Sequence, residues 1–68
     1  MLFSVNAKIH HMKYEEKDGT FEFVGLVEAE NLNQAQQKFK SYWDKKGKDT
    51  HTYYTAIDVV FDKPNIIT

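Results

Sequence analysis

Three histidines, ten carboxylates and nine lysines are the side chains of this 68-residue sequence that could do chemistry, and their spacing decides which chemistry is open to them. His10 and His11 are adjacent, so on a strand they point to opposite faces and cannot jointly grip one metal. His51 can approach one of them only if their strands pair. A site completed by Asp49 or Glu22 would match no common metal-ligand spacing. The chain has no cysteine, which removes both a thiolate zinc site and a disulfide. No metal and no cofactor are expected.

The carboxylates have structural explanations. Glu15, Glu16 and Asp18 fall in a polar run that suits a solvated turn. Glu28 and Glu30 precede a helical pattern and favour its positive N-terminal dipole. With two serines and no Ser-His-Asp arrangement, little material exists for nucleophilic catalysis, and the three glycines form no phosphate loop. The reading is therefore not an enzyme.

The lysines are more suggestive. Five of the nine lie in Lys38-Phe39-Lys40-Ser41-Tyr42-Trp43-Asp44-Lys45-Lys46-Gly47-Lys48, beside the only tryptophan. Basic residues interleaved with aromatics can form a nucleic-acid surface, with Lys38, Lys40, Lys45 and Lys48 as the candidate phosphate contacts. Helical phase argues the other way: it places Phe39 and Trp43 in a core stripe, Lys38 and Lys45 at one margin and Lys40 on the opposite flank. Lysines in a last helical turn are also stabilised by the helix dipole without any ligand. Sequence-independent nucleic-acid binding is kept as the alternative function.

Formal net charge is −1 and every basic side chain is lysine, which counts against whole-molecule attraction to nucleic acid and against arginine-type base reading. The abundance of Lys, Asn, Ile, Tyr and Phe fits an AT-rich genome, as in many low-GC bacteria and their phages. No leader-like N-terminus and no membrane-length apolar run are visible, so a soluble cytoplasmic protein without membrane contact is expected. One domain spanning residues 1–68 buries only about 60% of its unfolded surface. Oligomerisation is the compensation left most open to it.

These residues are positioned by a β-β-α-β order. Phe3, Val5, Ala7 and Ile9 alternate with Ser4, Asn6, Lys8 and His10, predicting a strand from about Leu2 to Met12. Asp18-Gly19 suits a tight turn, and a second strand runs from Thr20 to Ala29, with Gly25 marking a bulge or a close approach. Asn31 and Gln34 form a capping-box-like pair, so a helix starts near Leu32, buries Leu32, Phe39 and Trp43, and stops at Gly47. Thr50 to Asp62 reads as a third strand ended by Pro64, followed by the short tail Asn65–Thr68. The fold expected is α+β, a three-stranded antiparallel sheet of order 2-1-3 with one helix across one face.

If Phe3, Val5, Ala7, Ile9, Val27, Ala29, Ile57 and Val59 face the helix, then Val24, Leu26, Tyr54, Ala56 and Val60 face away, joined by Met12 and Tyr14. An exposed apolar group of that size marks an interaction site. Val24, Leu26, Tyr54 and Val60 are the candidate interaction face. The run Val27-Glu28-Ala29-Glu30-Asn31-Leu32-Asn33-Gln34-Ala35 joins a strand to a capped helix as in many small bacterial and phage proteins, and loosely resembles the archaeal ribosomal protein LX family. Near-neutral charge counts against the ribosomal role that this resemblance implies. The expected function is a non-enzymatic protein-interaction module, a homodimer through the open face or a sheet edge, of the kind a phage or mobile-element factor uses to bind a host protein.

Overall fold

The computed structural model describes residues 1–63; Pro64 and the Asn65–Thr68 tail lie outside the described residues. Its elements are β1 (Leu2–Lys13), β2 (Gly19–Glu28), α1 (Leu32–Thr50) and β3 (Thr52–Asp62). The sheet is antiparallel with order β2-β1-β3, and α1 lies across one face, nearer to β3 than to β2. This is the α+β architecture expected from the alternation of β1 and the helical phase of residues 32–43.

Each boundary has a local cause. The β1-β2 turn takes its left-handed residue at Glu15 (φ 63°), and no glycine adopts a positive φ, so Asp18-Gly19 is not the turning dipeptide. Asn31 is extended (φ −154°, ψ 173°), and its side-chain oxygen accepts the Gln34 N–H at 2.8 Å. Gln34 Oε1 in turn accepts the Glu30 N–H at 2.8 Å, so the reciprocal half of the cap is shifted one residue upstream of the usual box.

At the other end, α1 runs past Gly47 to Thr50. The left-handed residue that terminates it is His51 (φ 54°, ψ 38°), whose N–H donates to the Gly47 carbonyl. Gly47 serves a different need. A Cβ at that position would lie 2.5 Å from the Thr52 carbonyl oxygen, so glycine is what lets β3 begin directly against the helix.

The core is small. Phe3, Val5, Ala7, Ile9, Ala29, Ala35, Phe39 and Trp43 are the buried apolar residues among those described, with Val5 and Ile9 fully enclosed. Leu32, expected in the stripe, is 47% exposed. A 19-residue helix is about 28 Å long, whereas a 12-residue strand spans about 40 Å. One helix therefore cannot cover the full length of the sheet.

Glycine-to-alanine substitution in a helix interior ordinarily stabilises by about 1 kcal/mol. At Gly47 the sign should reverse, because the new methyl must push the Thr52 backbone aside, and overpacking of this kind costs about 1–3 kcal/mol. Urea unfolding of Gly47→Ala should show lower stability than the parent. His51→Gly should raise stability by roughly 1 kcal/mol by removing the left-handed strain of a residue with a Cβ, and an unchanged or lower midpoint would contradict this account of the helix end.

Candidate functional site: the sheet face opposite the helix

Register fixes which side chains share the face away from α1. Across the sheet from β2 through β1 to β3 the rows are Leu26-Ser4-Asp62, Val24-Asn6-Val60, Glu22-Lys8-Ile57 and Thr20-His10-Thr55, with Met12 beside Tyr53 at the end. Val24, Leu26 and Val60 are exposed on this face, as their positions in the alternating pattern required.

Tyr54 is not on it. Between Asn6 and Lys8 the β1-β3 register shifts, with Asp58 in a left-handed conformation (φ 52°), so Asp58 and Val59 together oppose Ala7. A bulge of this kind reverses the inside and outside of a strand on its far side. Tyr54 and Ala56 consequently lie on the helix side, where the Tyr54 ring sits 5.1 Å from that of Trp43. Ile57, expected beneath the helix, is on the open face and 45% exposed, and Tyr53 joins it at 65%. A strictly alternating reading of residues 50–62 has no signal for the switch; Asp58, the one charged residue inside an apolar run, was the available hint.

The open face is also less uniform than an apolar patch. Its central column, Ser4, Asn6, Lys8 and His10, is polar, and the apolar side chains flank it on the two outer strands. Lys8 stands directly opposite Glu22, a favourable cross-strand charge pair. Asn6, Lys8, Glu22, Val24 and Asp58 surround a shallow depression of about 210 Å³.

The remaining candidates are dispersed. His10 lies on the open face, with Nδ1 3.4 Å from Thr20 Oγ1 and Nε2 4.0 Å from Asp18 Oδ2. His11 is on the helix side, its ring 5.9 Å from that of Phe21, and His51 caps α1. Among the described residues no three His, Cys, Asp or Glu side chains converge as a metal site. Among them, too, no helix is long and apolar enough to cross a membrane.

The lysines separate as helical phase required. Lys38 donates to the Glu28 carbonyl at 2.7 Å on the β2 side of the helix, while Lys40 lines the opposite, β3-side groove with Gln36 and Asp44. The Lys46 ammonium lies 5.1 Å from the Trp43 ring centroid, a cation-π contact that leaves the indole face covered. Lys48 lies beyond Asp44 near His51. Phe39 and Trp43 are buried, so neither presents a face on which a base can stack.

In comparisons with known proteins, no family model, no curated protein and no solved structure matches this chain. Function must therefore be argued from the surface itself. For the lysine surface the expected outcome is no gel shift of single- or double-stranded oligonucleotides even at low ionic strength. Retardation that falls steeply as salt rises would restore Lys38, Lys40, Lys45 and Lys48 as phosphate contacts.

Proposed function

We propose that this chain is a small non-enzymatic protein-interaction module that works as a homodimer and offers the sheet face opposite α1 to a protein partner. The observation that carries this reading is the exposure of Val24 (73%), Leu26 (65%) and Val60 (59%) on one side of a fold with so small a core. Fully burying a side chain of this type is worth about 1.5–3 kcal/mol, so a partner that covered all three would gain several kcal/mol. The polar column of Asn6, Lys8 and His10 between them supplies hydrogen-bonding groups. Apolar contacts interleaved with polar ones are the composition of a reversible interface rather than of an obligate one.

Small size, near-neutral charge and the apolar open face motivate a phage or mobile-element factor that docks on a host protein in the cytoplasm, and the exclusive use of lysine is in keeping with an AT-rich genome. Nothing of comparable weight favours the nucleic-acid alternative, whose lysines are split between two flanks of the helix and its end.

Leu26→Lys and Val60→Lys test the face. Both side chains are exposed, so each substitution should change stability by no more than about 0.5 kcal/mol. Each should reduce capture of the partner from host lysate by at least about tenfold, which is a loss of roughly 1.4 kcal/mol. Capture at the parental level by both variants, with unchanged circular dichroism, would overturn the assignment of this face.

A further inference from the structure

We infer that two copies of this chain join through the outer edges of their β3 strands into one six-stranded antiparallel sheet with both helices on the same side. The inference rests on the homodimer reading above and supplies its route.

β3 has the composition of an interior strand. Tyr53, Ile57 and Val60 are apolar on the open face, while Tyr54, Ala56 and Phe61 pack toward the helix. Apolar side chains on both faces characterise strands whose two faces are both covered, which are ordinarily found inside a sheet and not at its rim. Yet among the described residues β3 has a neighbour only at β1. Natural edge strands discourage pairing with charges, proline or bulges, and Thr52–Ile57 carries none of these until the bulge at Asp58. The outer edge of β2, by contrast, is interrupted by Gly19, Glu22, Gly25 and Glu28.

Side-chain complementarity selects a register. With a two-fold axis at Thr55, that residue faces its own copy, Tyr53 faces Ile57 of the second copy, and Tyr54 faces Ala56 of the second copy. Every pair then stays on one face, as antiparallel pairing requires. An aromatic ring meets a β-branched side chain on the open face, a favourable cross-strand pair, and a large residue meets a small one beneath the helices. The left-handed turn at Asp58 ends the flat segment just after Ile57.

The helix layer fits the same symmetry. Between α1 and β3 lies a groove of about 470 Å³, lined by Gln36, Lys40, Asp44, Tyr54, Ala56 and Val59. Because α1 sits nearer to β3 than to β2, edge pairing brings the two helices within two to three strand spacings, roughly 10–14 Å. They run antiparallel across the axis, and Lys40, Asp44 and Lys48 follow one another at four-residue spacing along the facing flank. Reversed, this row pairs opposite charges only when the helices are offset by one turn, Lys40 of each copy then standing opposite Asp44 of the other. On the open face, Tyr53 and Ile57 from both copies become one central apolar strip, extending the surface offered to a partner.

The test uses the absence of native cysteine. Antiparallel partners have Cα atoms about 4.5–5.5 Å apart, within the range a disulfide spans. Thr55→Cys should therefore cross-link to a covalent dimer under mild oxidation at least about tenfold faster than Val24→Cys, whose thiol lies on the far edge of the open face. Sedimentation of the unmodified protein at submillimolar concentration should give twice the 8.0 kDa chain mass. Thr55→Lys, which sets like charges together on the axis, should shift that equilibrium several-fold toward monomer. A dimer whose Thr55→Cys variant cross-links no faster than Val24→Cys would overturn the edge route and leave the module reading standing. A monomer at every concentration would overturn both this inference and the homodimer.

Discussion

A single helix must close over three strands, and the residue that makes this possible is Trp43. Its ring lies 5.1 Å from Phe23 on β2 in an edge-on arrangement and 5.1 Å from Tyr54 on β3, while Phe39 stands 6.3 Å away along the helix. It also belongs to the cluster that encloses Val5, Ala7 and Ile9 of the central strand. Phe39 bridges the same two strands one turn earlier, its ring 6.0 Å from Phe23 and 5.7 Å from Phe61. The indole Nε1 is buried with no hydrogen-bond partner among the described residues, a situation that costs about 1–3 kcal/mol. Burying some 150–250 Å² of aromatic surface returns about 4–6 kcal/mol, so the balance favours the aromatic.

The central strand and the helix were legible because their patterns admit few alternatives. Phe3, Val5, Ala7 and Ile9 alternate without exception, and all four are buried. Asn31 caps the helix where its side chain and spacing to Gln34 require. The far end of the helix was not legible: glycine is the commonest left-handed residue, yet here Gly47 answers to the Thr52 backbone, and His51 takes the left-handed position. Which residue fills a cap depends on what the next strand touches, and that is a tertiary fact.

The candidate face divides in the same way. Val24 and Leu26 lie on an uninterrupted strand, and alternation assigned them correctly; Tyr54 and Ile57 lie N-terminal to a bulge, and alternation exchanged them. The polar residues Ser4, Asn6, Lys8 and His10 were visible as the second face of β1, but strand order is what sets that column between the apolar flanks. A face that looks apolar from two strands becomes mixed when the middle strand is included. It presents hydrogen-bonding groups and apolar side chains side by side.

The bulge at Asp58 and the aromatic hub explain each other. Carried back from Asn6↔Val60 without the extra residue, the ladder would set Ile57 opposite Ile9 and Thr55 opposite His11. The observed register sets Ala56 opposite Ile9 and Tyr54 opposite His11. Exchanging Ile57 for Ala56 removes bulk beneath the indole, and Tyr54 in place of Thr55 gives that ring an aromatic neighbour. Overpacking a core costs about 1–3 kcal/mol, whereas a left-handed Asp costs no more than about 1–2 kcal/mol and often less, since its short side chain tolerates that conformation. The bulge is thus the cheaper way to seat Trp43. By the same step it turns Tyr53 and Ile57 outward, so that the accommodation of one buried side chain decides the composition of the exposed strand edge.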